Sequence, residues 1–376
     1  MQRYAIGLLV LIVAVIPDAL AEKPPAAGAK PVFEMQDLFK SVRIPNIVVA
    51  ADGSVLALAR SGRLLRRSED AGKTWSKAVE IGAEAGGSAI VDENTGDVMI
   101  VNPRRGCLWR SGDHGKTWKR QEIEVKPNLL GHGSVKKVPA GTSCSESGIT
   151  LRYGKHKGRL LMPARITSPN GTNAQEIWPY HYNTAIYSDD GGKTWRTSGP
   201  VQSGTGEGTL AELSNGNIYY NSRSHMSIDH RRRIAWSYDG GHMWTDWRVC
   251  DQLREVGQPF YFKYGTKPSY GCNAGLVRLP LETTGGKDVL LFSTPDNPGK
   301  SRIRMTVWAS FDRGKTWPVK RMVHKGPSAY SSLAADKKGN IYLLFERGDK
   351  KLYEHIAVAR FNLAWLTEGK TGRTGD

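Results

Sequence analysis

The chain has only four cysteines in 376 residues, Cys107, Cys144, Cys250 and Cys272, and none stand in C-x-x-C spacing. The absence of that spacing disfavours a zinc site. Its one long apolar run, residues 4–16, is too short to span a bilayer. Helical periodicity is missing from the rest of the chain, which leaves little for amphipathic helices to build. Acidic residues are scarce: 36 Asp and Glu face 53 Lys and Arg, for a formal net charge of +17. Such a balance implies anionic company. The bland reading is a solvated basic surface. No nucleic-acid recognition module is visible, so nucleic acid is a weaker reading than an acidic sugar or polysaccharide, which the motifs below favour; no nucleic acid and no membrane span are expected.

What is present begins with an export signal. Met1-Gln2-Arg3 precedes the apolar run, and Ala19-Leu20-Ala21 forms a small-x-small cleavage site. The expected organisation is a signal peptide over 1–21, a flexible lead-in over 22–32, and one domain over 33–376, secreted or periplasmic. In that compartment one or two disulfides are permitted, and Cys250 with Cys272 closes the cheapest loop.

Five times the chain repeats one phrase: SEDAGKTW from Ser68, SGDHGKTW from Ser111, SDDGGKTW from Ser188, SYDGGHMW from Ser237 and SFDRGKTW from Ser310. The pattern S-x-D-x-G-x-T-W is broken once, at Met243. Recurrence at about 43 to 77 residues signals a repeat architecture. The Asp can accept hydrogen bonds from its own turn, the Gly suits positive φ, and Thr-Trp starts an apolar strand. Short alternating runs such as SVLALA and NIYLLFE read as strands between DG, NG and GN turns.

The phrase resembles the Asp box of sialidase-type β-propellers. It is a fold signal, and it implies an all-β, six-bladed β-propeller with Asp-box hairpin turns. Further contexts match the bacterial exo-α-sialidase family, in its order. Arg43 lies in V-R-I-P-N ahead of the first box, like the family's first carboxylate-binding arginine. In GEGTLAELSNGNIYYNSRS, Glu207 matches the catalytic carboxylate and Arg223 the second arginine, with Glu212 as competitor for Glu207. In KSRIRMTVWASFDRG, Arg302 matches the third arginine and Arg304 is the runner-up. In GPSAYSSLAADKKGNIYLLFERG, Tyr330 matches the nucleophile and Glu346 the residue that buttresses the arginines.

The chemistry suits these residue types. A guanidinium meets a carboxylate bidentately and stays charged. Sialic acid carries a carboxylate on its anomeric carbon, which would repel an Asp or Glu nucleophile, whereas a phenol is neutral until it attacks. A phenol needs a base in contact, the role the resemblance implies for Glu207. The resemblance implies a retaining hydrolase of terminal sialic or related nonulosonic acids, with no cofactor and no metal.

One element departs from the pattern. The family's general-acid Asp falls at Gly86 or Gly87, where there is no carboxylate. Glu84 is two or three residues upstream, and Asp92 fits a hairpin turn better. His181, with Trp178, Tyr180 and Tyr182, is a candidate sugar-pocket lining, and His181 or His225 is a candidate substitute acid. Arg60 is a loose match to a substrate-touching residue. The gap supports an alternative: a catalytically impaired, sialidase-like propeller that binds acidic sugars.

Overall fold

The computed structural model describes residues 29–127, 134–135, 138–139, 142–166, 181–225, 229–262 and 265–368. The signal segment, Trp178 and Tyr180 lie outside them. The fold is all-β, with strands of alternating pattern joined by tight turns into a propeller-like arrangement of sheets.

Four sheets stand as separate blades. The first holds Asn46–Val49, Val55–Ala59, Leu64–Ser68 and Val79–Glu80; the second holds Ser88–Val91, Val98–Asn102, Cys107–Ser111 and Lys119–Glu122. The third is built on Leu160–Ile166, Tyr182–Ser188 and Thr194–Thr197, and Glu124–Lys126 adds to it in parallel. The fourth runs Thr205–Glu212, Ile218–Ser224, Arg231–Ser237 and Thr245–Arg254. Besides two two-stranded hairpins, one further sheet has seven strands, because Val319–Ala335 is 17 residues long. The first part of this strand pairs with Ile303–Ser310 and the second with Ile341–Arg347. The sheet ends on the N-terminal strand Phe33–Lys40, which pairs antiparallel with His355–Phe361.

The repeated phrase forms the turn its residues dictate. In the first copy Asp70 Oδ1 accepts from the Ser68 hydroxyl (2.8 Å) and the Thr74 amide (2.9 Å), while the Gly72 amide donates to Ser68 Oγ (2.8 Å). Asp70 Oδ2 takes the Thr74 hydroxyl at 2.6 Å, a bond for which Met243 has no hydroxyl in the fourth copy. Two consecutive residues have positive φ, Ala71 at 58° and Gly72 at 82°, and the other copies share this. A second reason for the glycine is packing. A Cβ at Gly72, Gly115, Gly192, Gly241 or Gly314 would press on Tyr342, Leu56, Met99, Leu161 or Tyr219 respectively, each from the sheet before it in the ring. The boxes thus fasten neighbouring sheets, and Gly72 against Tyr342 carries the series from the last sheet back to the first.

Separate apolar clusters replace one central core: five lie between neighbouring sheets, and one, with Leu291, Val307, Leu343 and Phe345, lies between the two halves of the seven-stranded sheet. The axis is lined with small polar groups instead. Asn46 Nδ2 donates to Ser147 Oγ (2.8 Å), the Ile47 amide to Ser332 Oγ (3.0 Å), and the Ala89 amide to Asn46 Oδ1 (2.8 Å). All four cysteines are free thiols. The expected Cys250–Cys272 bridge is absent, since Cys250 packs with Tyr219 and Trp317 while Cys272 packs with Ala329 in another cluster. No helix among the described residues is long and apolar enough to cross a membrane.

Candidate active site

Arg43 lies between Phe33–Lys40 and Asn46–Val49, where the chain passes from the last sheet to the first. Glu346, near the end of Ile341–Arg347, is wholly buried and grips it bidentately, Oε1 to Nε at 3.1 Å and Oε2 to Nη2 at 3.3 Å. The same carboxylate accepts the amides of Ile44 (2.9 Å) and Tyr330 (3.1 Å). The Arg43 side chain keeps 41% of its surface exposed, so the far side of the guanidinium stays available to a ligand.

Tyr330 sits where the long strand changes partners, at a register shift between Ser328 and Ser331. Its hydroxyl donates to Glu207 Oε1 (2.9 Å) and accepts from Arg223 Nη1 (3.0 Å). Glu207 also lies at a register shift, between Thr205 and Gly208. Bulges re-aim side chains out of the regular alternation, and here two of them aim a phenol and a carboxylate at each other. The guanidinium carbons of Arg43, Arg302 and Arg223 stand 5.1, 5.6 and 6.0 Å from the centre of the Tyr330 ring. The structure therefore brings together all six predicted residues: Arg43, Glu207, Arg223, Arg302, Tyr330 and Glu346.

Electrostatics fix the protonation states. Burial pushes the Tyr330 phenol up, the Glu207 charge adds to this, and Arg223 and Arg302 oppose it, leaving the group at about 12. Burial works to raise Glu207 too, but Arg223, Arg165 and His225 together hold it well below the usual carboxylate range. The pair is thus a neutral phenol beside an ionised carboxylate. A free tyrosinate is disfavoured, and Glu207 is placed to take the phenol proton in any reaction of that oxygen.

The competitors settle into other roles. Glu212 is buried and accepts the amides of Arg152 (2.7 Å) and Tyr153 (3.0 Å), away from Tyr330. Arg304 has φ 64° at a register shift, which breaks the alternation expected to set it beside Arg302, and it is exposed. Arg60 is exposed and pairs with Glu80 at 3.0 Å. Asp92 is buried in its turn, accepting from Asn94. Glu84 pairs with Arg120 at 2.6 Å.

The two histidines are poor substitute acids. Burial, with Arg223 for His225 and Arg165 for His181, lowers them to about 3 and about 4, so both rings are neutral near pH 7. Gly86 and Gly87 do line the cavity beside Tyr330. A Cβ at Gly87 would lie 1.8 Å from the Val101 carbonyl oxygen, so no side chain fits there. One at Gly86 would meet only Asn102 Nδ2, at 3.2 Å, and Glu84 O, at 3.8 Å.

Sequence reasoning missed three contributors. Tyr353, at φ 68°, accepts from Arg302 Nη1 (2.9 Å) and stacks its ring 4.0 Å from the Arg43 guanidinium, tying two arginines together. Arg165 stands 3.7 Å from Glu207 Oε1. Glu146 is buried near the axis, where burial pushes it up to about 7, and it accepts from Asn46 (3.0 Å), Ser147 (3.0 Å) and Asn273 (3.4 Å). None sits in a recurring phrase, so only the fold reveals them.

Residues 93–343 match the family described as BNR repeat-like domain. The chain is 30% identical to a sialidase of Micromonospora viridifaciens, over 93% of this chain and 57% of that protein. It is 28% identical to a sialidase of Bacteroides fragilis, over 75% and 53%. It thus spans about half the length of these relatives. Among solved structures, the Hadza microbial sialidase Hz136 superimposes with a TM-score of 0.65 at 24% identity, covering 87% of this chain and 66% of that one. The NanB sialidase of Streptococcus pneumoniae gives 0.66 at 15%, covering 89% and 71%. At these identities the structural likeness speaks for the fold alone.

Proposed function

We propose, since this chain belongs to the bacterial sialidase family with BNR repeats, that it is an exported, retaining exo-α-sialidase-type hydrolase of terminal sialic or related nonulosonic acids. The observation that carries the reading is the Tyr330 hydroxyl, held at 2.9 Å by the ionised Glu207 and at 3.0 Å by Arg223. Arg43, Arg223 and Arg302 would hold the substrate carboxylate and set the anomeric carbon before the phenol oxygen. Tyr330 attacks, its proton passes to Glu207, and the glycosidic bond breaks with its electron pair on the aglycone oxygen, which takes a proton from solvent. Water then attacks the anomeric carbon of the tyrosyl adduct and loses a proton to solvent, Glu207 returns its proton to the phenol oxygen, and two displacements retain configuration. Glu346 and Tyr353 are positioning residues. If the long strand Val319–Ala335 is counted in two blades, the sheets make six.

The test is release of 4-methylumbelliferone from its sialic acid glycoside, with sialyl-lactose in parallel and the first-formed sugar anomer read by proton NMR. Turnover giving the α anomer first supports the reading; the β anomer first overturns retention.

A second reading rests on Gly86 and Gly87, which leave no carboxylate at the family's acid position. Losing a general acid costs about 100- to 10,000-fold for a poor leaving group. The chain would then be an acidic-sugar-binding propeller. Calorimetric binding of sialic acid, abolished by Arg302→Ala, with no turnover of either glycoside, would favour it.

A further inference from the structure

A cavity of about 360 Å³ opens beside the nucleophile and is lined by Tyr330 and Glu207, but not by Arg43, Arg223 or Arg302. The three carboxylate-binding arginines belong to the sugar that is attacked. A space that reaches the nucleophile without them has room for the departing group. Its outer wall supports this, because Arg104 and Arg105 are exposed and an aglycone must leave toward solvent.

The charge of this wall is one-sided. Arg104, Arg105 and Arg165 line it, and Glu207, already engaged with Tyr330, is the only carboxylate among the described lining residues. The position facing the cavity that an acid would occupy is Gly86, and its neighbour Gly87 admits no side chain. A guanidinium keeps its proton at any working pH, so this wall cannot protonate a leaving oxygen. It can oppose negative charge, both on that oxygen as the bond breaks and on groups already ionised in the aglycone. Arg104 and Arg105 are held by the backbone turn Pro103–Arg105, capped by Asn102 Oδ1, which accepts the Arg105 amide at 3.3 Å.

Resting on the hydrolase reading above, we propose that the leaving-group side of this site selects an aglycone with an anionic group of its own, a carboxylate, sulfate or phosphate, near the scissile bond. In the chemical step the bond from Tyr330 oxygen to the anomeric carbon forms and the phenol proton goes to Glu207. The bond to the aglycone oxygen breaks with its electron pair on that oxygen, which takes a proton from water.

The test compares kcat/KM for two aryl sialosides of matched leaving-group acidity, one with a sulfonate on the ring and one neutral. Sialyl-lactose and a sialic acid glycosidically linked to a second sialic acid extend the comparison to natural sugars. The expected anionic-to-neutral ratio is about tenfold at low salt. It should fall toward one at about 1 M salt and in the Arg104→Gln/Arg105→Gln variant, whose changes are on exposed side chains. A preference for the sulfonate but not for the second sialic acid would assign the subsite to sulfate or phosphate groups, and the reverse would assign it to carboxylates. Equal turnover of the neutral and anionic members of both pairs overturns the proposal and leaves the hydrolase reading standing. No turnover of any substrate overturns both.

Discussion

Glu346 holds Arg43 through both carboxylate oxygens and, through one of them, the backbone amide of Tyr330. One buried carboxylate therefore fixes the Arg43 guanidinium and the Tyr330 backbone together. Glu346→Gln should lower kcat/KM by about 100-fold, through a fall in kcat and a rise in KM, because a bond to a charged group is worth about 1.5–3 kcal/mol. Steady-state kinetics check it. A change in KM alone would mean that the tyrosine amide contact is idle.

Tyr330→Phe should cost at least about a thousandfold in kcat while changing stability by less than about 1 kcal/mol. The ring and its three guanidinium neighbours remain. Thermal unfolding and single-turnover assays separate the two effects.

The pH profile follows from the directions of the shifts. In the proposed mechanism Glu207 acts ionised and Tyr330 protonated; the first is held well below the usual carboxylate range and the second is pushed up to about 12. On an activated aryl glycoside, kcat/KM should be flat from about pH 5 to pH 9. A carboxylic acid that must stay protonated would add a falling alkaline limb within that window. Gly86→Asp should introduce that limb and raise the rate on sialyl-lactose by about tenfold or more.

Gly87→Ala should destabilise the protein by about 3 kcal/mol, since its Cβ would sit 1.8 Å from the Val101 carbonyl oxygen. Gly86→Ala, with only Asn102 Nδ2 and a backbone oxygen nearby, should cost under about 1 kcal/mol. Chemical denaturation of the two variants checks the contrast.

The box carboxylates give an acid limit to stability. Asp70, Asp113 and Asp190 are depressed by hydrogen bonds within their turns. A depressed group contributes stability that is whole above its unfolded value of about 4 and is lost as pH falls through the folded value. Asp190→Ala should cost about 1 kcal/mol at pH 7 and flatten the fall in melting temperature below about pH 4.

Most of the site was legible because it sits in local phrases: R-I-P for Arg43, a Glu before a strand for Glu207, a Tyr in a small-residue run for Tyr330. Two of these residues, Glu207 and Tyr330, sit at register shifts, where local geometry constrains the neighbouring residue types. Arg304 shows where alternation misleads, since one residue at φ 64° turns the chain and sends the side chain outward. Tyr353 was invisible for the opposite reason. Its contacts to Arg302 and Arg43 join residues 51 and 310 positions away, and no local pattern encodes them. The cysteines, read as a possible bridge, belong to separate clusters.

The strand Phe33–Lys40 completes the sheet of His355–Phe361, and the Arg43–Glu346 pair spans 303 residues at the same seam. Contacts this distant in sequence are among the last that a folding chain can make. The proposed activity is thereby tied to arrival: a partly synthesised chain that stops before Glu346 cannot form the Arg43 pair, and turnover would report that both ends of the domain have met.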